Sequence, residues 1–260
     1  MIQDLKHFYG KQVHILNDPY LSSMLTRLCE PQTHQPTINE LVQFLYTDLI
    51  RVVLNREFPL KKVKVETRMT AKHPQQLLES EVLDKDQKTI SVNLARAGTF
   101  PSHICYNALN YILNPEVIRQ DHVIAARKVD EQKKVTGTTL EGSKIGGDVD
   151  QSIVLFPDPM GATGSTLVSA LDFYKKNVKG KALKFIALHL IITPEYIRCL
   201  KETHPDLIIY AVRLDRGLSK PEILKTTPGE KWSEERGLDD TQYIVPGGGG
   251  FGEILNNSYV

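Results

Sequence analysis

Cysteine is scarce in this sequence: Cys29, Cys105 and Cys199 stand far apart in 260 residues. They fit neither a disulfide framework nor a zinc-binding spacing, and each reads as a buried thiol in a reducing compartment. Long apolar runs are also missing. No stretch approaches the roughly 18 apolar residues that span a bilayer, so the chain carries no transmembrane helix. The opening MIQDLKHFYG has no apolar core behind basic residues, which argues against a secretory signal and for a cytoplasmic protein. An excess of charge is absent too, with 32 Lys and Arg against 31 Asp and Glu. Such a balance provides no electrostatic footprint for nucleic acid or an anionic membrane, and any bound anion must be caught by a local site. The chain shows no internal repeat and no linker, and we read residues 1–260 as a single domain.

What is present is an alternation of two periods. Residues 21–30 and 38–56 carry apolar side chains at helical spacing, separated by PQTHQPT, and predict a helical N-terminal segment over 1–60. Thr37 is placed to cap the second helix, with Glu40 three residues on completing a capping box. From Lys61 the texture changes. VKVET alternates, TISVNLA is a short apolar run, and SHICYNALNYIL reads as helix before Pro115. There follow strands around HVIAA and IVLF, a helix after Thr166, the strand KFIALHLII, the helix PEYIRCLKETH and the strand LIIYAVRL. Strands alternating with helices predict an α/β fold, a mainly parallel sheet flanked by helices, with ligands at the carboxyl ends of the strands. Two stretches resist this pattern. Residues 128–151 are polar with four glycines, and read as a β-hairpin or flap over a site, or as an ordinary solvated loop. Residues 219–240 look like a polar insertion around Trp232.

The segment IVLFPDPMGATGST, residues 153–166, carries the most chemistry. Helix-initial N–H groups have no intrahelical partner and sit at the positive end of the dipole. Gly164 allows close approach, while Thr163, Ser165 and Thr166 add hydroxyl donors, which together make a phosphate cradle. No GKS or GKT ending is present, so a Walker loop is not supported. Asp158 would repel a phosphate but can accept hydrogen bonds from paired sugar hydroxyls. An acid for ribose and amides for phosphate point to a ribose phosphate; a plain capped turn is the competing reading. None of the eight histidines falls in a catalytic pattern.

The order strand, Asp-Pro-Met, Ala-Thr-Gly, hydroxyl, helix resembles the phosphoribosyl diphosphate (PRPP) loop of phosphoribosyltransferases. Its Asp-Pro-Met beginning resembles the uracil phosphoribosyltransferase family, and so do further segments in the same order: PYLSSMLTRLCEPQT, VKVETRMTA, NLARAG, HPDLIIYAVRLDRGL and YIVPGGGGFGE. The resemblance implies transfer of the 5-phosphoribosyl group from PRPP to uracil, giving UMP and pyrophosphate in pyrimidine salvage. It implies a PRPP site at Asp158, Pro159, Met160, Gly161, Ala162, Thr163, Gly164, Ser165 and Thr166. Arg96 and Arg127 would meet the pyrophosphate, and with Asp158 they form the implied catalytic set. Ile244, Gly249, Gly250 and Phe251 would hold the base. Because Pro157 stands where many such enzymes carry a second acid, the implied Mg2+ would be bound mainly through PRPP, with no metal held by the protein alone. The family association also implies a homodimer or higher homo-oligomer.

The sequence departs from the family pattern where Pro-Gly-Leu-Gly-Asp-Ala-Gly-Asp becomes Pro246 to Glu253, so that Gly250 replaces an aspartate and Phe251 an alanine. Gly161 stands in place of a leucine, and Ser165 in place of a glycine. These changes leave a second reading open, a catalytically weakened regulatory protein of the same fold that binds PRPP or a nucleotide.

Overall fold

In the computed structural model the described residues are 3–129 and 135–258, without the side chains of residues 126–139. The N-terminal segment is only partly helical. It begins with strands β1 (Gln3–Asp4) and β2 (Val13–Asn17), which pair antiparallel with each other. Ahead of the two expected helices, VHILN turns Val13 and Ile15 into the core as strand residues. Helices α1 (Pro19–Leu28) and α2 (Thr37–Glu57) follow. Asp18 caps α1, accepting from the amides of Tyr20 and Leu21 at 2.9 and 3.2 Å. Thr37 does not cap α2. The cap position falls on Pro36, whose backbone is already helical, so Thr37 lies inside the first turn, and it is Gln35 Oε1 that accepts from a first-turn amide, that of Asn39, at 3.3 Å.

Strands β3 (Leu60–Val65) and β4 (Leu78–Leu83) form a hairpin of their own, apart from the main sheet. Then come β5 (Thr89–Ala95), α3 (Thr99–Ile112), β6 (Ile118–Val129), β7 (Val135–Lys144), β8 (Ile153–Pro157), β9 (Met160–Gly161) and α4 (Ser165–Asn177). The chain continues with β10 (Lys184–Ile192), α5 (Pro194–Thr203), β11 (Ile208–Leu214), α6 (Pro221–Leu224) and α7 (Phe251–Ile254). The stretch 128–151 contains the end of β6 and all of β7, paired antiparallel along the sheet edge, while residues 130–134 lie outside the described residues.

The main sheet runs β1-β2-β11-β10-β8-β5-β6-β7, with β9 beside β10. From β2 to β6 every neighbouring pair is parallel. Both faces of such a sheet are covered, which is why β5 and β8 are almost wholly buried; IVLF in β8 is an unbroken apolar run, while β5 buries Thr89, Ser91 and Asn93 among its apolar residues. In β8, Ile153 and Leu155 face one core while Val154 and Phe156 face the other. Helices α1, α2 and α3 cover the first face, and α4 and α5 the second. The strand order reverses between β5 and β8: the chain leaves β5 for α3 on one face and β8 for α4 on the other. A crevice opens at the carboxyl ends of these two strands, where α/β sheets bind their ligands.

The polar segment 219–240 packs as a cap on the β2 end of the sheet. Glu235 is fully buried, accepting from Arg216 Nη1 at 2.7 Å, from the Gly229 amide at 2.9 Å and from the Tyr9 hydroxyl. Burial, and the Glu235 carboxylate next, push the Tyr9 hydroxyl well above its ordinary range, so it stays a donor. Trp232 sets its ring edge against Tyr9 and donates to the Pro194 carbonyl at 3.0 Å. Removing one member of a buried pair leaves its partner's charge uncompensated, at a cost of roughly 3–5 kcal/mol. Glu235→Ala should therefore lower stability by about that amount, measured as the midpoint of denaturant unfolding. An unchanged midpoint would show that the cap contributes nothing to the fold.

Candidate active site

Residues 158–166 leave β8 across the crevice. Asp158 hangs on the sheet through its amide, which donates to Leu188 O at 3.0 Å, and its carboxylate accepts from the Met160 amide at 3.2 Å. Met160 and Gly161 pair with Ile191 and Ile192, extending the sheet for two residues beyond Asp158. The chain then turns through Gly164, whose φ of +86° favours glycine, and enters α4 at Ser165. Thr163 and Ser165 bond through their hydroxyls at 3.0 Å. The loop therefore presents Thr163 to Thr166 at the start of a 13-residue helix, the arrangement that binds a phosphate.

Helix α5 forms the floor under this loop. Its cap residue Thr193 donates through its hydroxyl to Ala162 O at 2.7 Å and through its amide to Gly161 O at 3.1 Å. A Cβ on Gly161 would meet the Tyr196 ring at 3.1 Å and Ile192 Cγ2 at 2.8 Å. Gly161 is small because Tyr196, one turn into α5, fills the space that a larger side chain would need. One turn further, Cys199 lies 3.3 Å from the place of a Cβ on Gly164.

Tyr196 also meets a residue that sequence reasoning passed over. His189 on β10 lines the cavity, bonded through Nδ1 to the backbone oxygen of Asp158 and through Nε2 to the Tyr196 hydroxyl. A carbonyl can only accept, so Nδ1 carries the proton and Nε2 accepts from Tyr196. Burial lowers the His189 pKa from the ordinary 6.5 to about 4, which keeps the ring neutral. It holds Asp158 in place. The pairing of β10 with β8 brings it there, and a lone histidine in an apolar strand gives no such signal.

The opposite wall comes from Tyr243 to Glu253. Gly247 has φ +62°, and a Cβ there would fall 2.1 Å from Ile244 O. Its amide donates to Asp215 Oδ2 at 2.8 Å and its carbonyl accepts from Arg213 Nη2 at 2.8 Å. Arg213, itself partly exposed, grips the buried Asp215 with two bonds of 2.7 and 2.8 Å, so an ion pair pins the start of this loop to the end of β11. Phe251 is 1% exposed and belongs to the core, although one side of it reaches the cavity.

Between the walls lies a cavity of about 510 Å³, a size suited to a small ligand. It brings together Arg96, Asp158, Met160, Ala162 and Thr163 to Thr166 with Ile244, Gly249, Gly250 and Phe251. Pro159 and Gly161 shape the loop from beneath and do not line it. Arg96 follows β5, donating to Ser258 Oγ at 2.9 Å. The backbone of Arg127 lies on β6, opposite Thr138, and its side chain is outside the described residues. Glu253 reaches the same cavity.

A parallel sheet with an acid and a phosphate-cradling helix start at its reversal point places the chain in the class of α/β proteins that bind a sugar phosphate at the strand ends. Comparison with known proteins narrows the class. Residues 15–230 match the family model described as uracil phosphoribosyltransferase. The chain is 30% identical over 244 residues to the uracil phosphoribosyltransferase of Dictyoglomus thermophilum, covering 94% of this chain and 98% of that protein. It is 29% identical over 243 residues to that of Listeria innocua, covering 94% and 97%. The solved structure of AQ2163 from Aquifex aeolicus shares the fold, with a TM-score of 0.71 and 20% identity over 95% of this chain and 99% of that one. The chain belongs to the uracil phosphoribosyltransferase family.

His189 makes the support of Asp158 sensitive to acid. As pH falls, the unfolded chain takes up the imidazole proton near 6.5 and the folded chain only near 4, so protons favour unfolding across that window. Stability should fall between pH 6.5 and 4, by on the order of 3 kcal/mol from this group. His189→Gln should flatten the slope of stability against pH over that interval. An unaltered slope in the variant would show that His189 is not held neutral.

Proposed function

We propose that this protein transfers the 5-phosphoribosyl group of PRPP to uracil, releasing pyrophosphate and forming UMP for pyrimidine salvage. One observation carries the reading. A single cavity places the acid and hydroxyl loop of residues 158–166 opposite the glycine loop that follows Tyr243, with Arg96 between them. Membership of the family, and relatives named for this activity along nearly their whole length, support the same conclusion.

In this reading residues 1–260 act as one domain. Asp158 accepts hydrogen bonds from the ribose hydroxyls, while Thr163, Ser165, Thr166 and the first amides of α4 hold the 5-phosphate. The bond from C1 to the pyrophosphate oxygen breaks, positive charge develops on the ribose ring, and a ring nitrogen of uracil attacks C1 and gives up its proton. The protein's part is to align the reactants and to stabilise the leaving charge. Arg96 and Arg127 do the latter, because a planar guanidinium binds phosphate oxygens in pairs. Backbone groups at Ile244, Gly249 and Gly250 meet the edge of the base, and Phe251 closes the pocket behind it.

Magnesium carried on the phosphates of PRPP would neutralise further charge on the leaving group. The donor set suits a metal brought by the substrate. Among the described residues no three His, Cys, Asp or Glu side chains cluster as a metal site, and the carboxylates facing the cavity are Asp158 and Glu253. Magnesium typically keeps substrate phosphates and waters as ligands beside one or two carboxylates.

The alternative of a non-catalytic sensor is not favoured, since both walls of the cavity are formed and the relatives are named as enzymes. A cytoplasmic setting is supported by three unpaired cysteines, and among the described residues no helix is long and apolar enough to cross a membrane. A homodimer or larger assembly is supported by the β3–β4 hairpin, which leaves Leu60, Val65, Leu78 and Val82 exposed. Sedimentation velocity should give at least twice the chain's 29.3 kDa; a monomer would remove the assembly from the reading.

Turnover of purified protein with PRPP, magnesium and a panel of bases tests the function. Uracil should be the preferred acceptor, and Thr163→Val, which keeps the shape and removes one hydroxyl, should weaken PRPP binding by roughly tenfold. Tight PRPP binding without release of its pyrophosphate in the presence of any base would establish the sensor instead.

A further inference from the structure

We propose that Glu253 is the residue that positions Arg96 for pyrophosphate, an inference that rests on the transferase reading above. The loop facing the phosphate cradle is bare over Gly247 to Gly250 and has no side chain with which to fix anything. Glu253 lies one turn further on, in α7, and its carboxylate folds back over that bare backbone. A Cβ placed on Gly250 would fall 2.2 Å from Glu253 Oε2 and 3.1 Å from its carboxyl carbon. The space that any side chain at 250 would occupy is filled by the carboxylate of 253.

The other carboxylate oxygen faces Arg96. Glu253 Oε1 lies 3.8 Å from Arg96 Nη2, while Arg96 Nη1 donates to Ser258 Oγ at 2.9 Å. Two groups from the C-terminal segment thus hold a guanidinium that belongs to the loop after β5. Arg96 is 43% exposed on its side chain, and a long exposed stem samples many rotamers unless something narrows them. An anion that must be met in one geometry is bound more tightly when that narrowing is done beforehand. The distances decide between aiming and blocking. A short two-bond grip like that of Arg213 on Asp215 would occupy the fork. At 3.8 Å the carboxylate attracts the guanidinium and leaves most of its five N–H groups able to turn to phosphate oxygens. Glu253 and Arg96 both line the cavity, so the glycine loop and the pyrophosphate arginine are set as one unit.

A double-mutant cycle tests the coupling, read both as steady-state kinetics and as calorimetric binding of magnesium pyrophosphate. Glu253→Ala should raise KM for PRPP and the Kd for pyrophosphate by about tenfold, with KM for uracil changed less than about twofold. In an Arg96→Ala background the same change should add less than about twofold, because the path through Arg96 is already lost. Gly250→Ala expels the carboxylate without removing it and should reproduce the Glu253→Ala defect, while Glu253→Asp should recover part of it. Equal losses for PRPP and uracil, additive effects in the cycle, or tighter pyrophosphate binding in Glu253→Ala would each overturn the proposal. Thermal melting of every variant identifies any loss that is only unfolding, and Glu253→Gln, which keeps the side chain's shape, then replaces Glu253→Ala in the cycle. A wild type that binds pyrophosphate and transfers nothing to uracil would defeat the transferase reading alone.

Discussion

Backbone hydrogen bonds between β5 and β8, in the parallel register Thr89↔Ile153 to Ser91↔Leu155, set two strand ends side by side whose following helices depart to opposite faces. Every feature of the cavity depends on that adjacency. It places the loop bearing Arg96 next to the loop bearing Asp158, although 62 residues separate them in the chain. It also buries both strands on both sides, since α2 and α3 press on one face and α4 on the other. The residues these strands offer the cavity, Leu94, Ala95 and Phe156, lie at their carboxyl ends.

Charge is buried where the chain must be held against the sheet without regular pairing. Asp215 with Arg213 fastens the start of the glycine loop, and Glu235 with Arg216 and Tyr9 fastens the 219–240 cap to the N-terminal strands. Each buried carboxylate accepts from a guanidinium and from a backbone amide, Gly247 in one case and Gly229 in the other. Such pairs contribute little net stability compared with an apolar equivalent, but they fix a single geometry, which loops of glycine cannot do for themselves.

The alternation of strands and helices was legible because apolar runs of five to nine residues bounded by turn residues have few other interpretations. The phosphate loop was legible because its residues are contiguous and its chemistry depends on their order. Four things were not. β2 is hidden because VHILN is interrupted by His14 and closed by Asn17, which leaves no apolar run. Thr37 resembles a cap in the sequence because the signal depends on a helix start that Pro36 moves by one residue. His189 and Tyr196 were passed over because their relation to Asp158 is made by strand pairing and by the first turn of α5, and a linear reading has no access to either. The role of 219–240 lay in the same blind spot, since a polar segment with one tryptophan looks alike whether it is solvated or packed on Tyr9.

The contact between Gly161 and Tyr196 means that the phosphate loop and α5 have been tailored to each other. A bulky residue at 161 and an aromatic at 196 are mutually exclusive, so the volume of the pair is shared between two segments 35 positions apart. Thr193, bonded to Gly161 and Ala162, ties the same two segments together through the backbone. The interchangeable part of this protein is therefore larger than its signature motif. A chimera carrying a bulkier loop alone would force its side chain into an aromatic ring, whereas exchanging loop and helix together exchanges both halves of the fit.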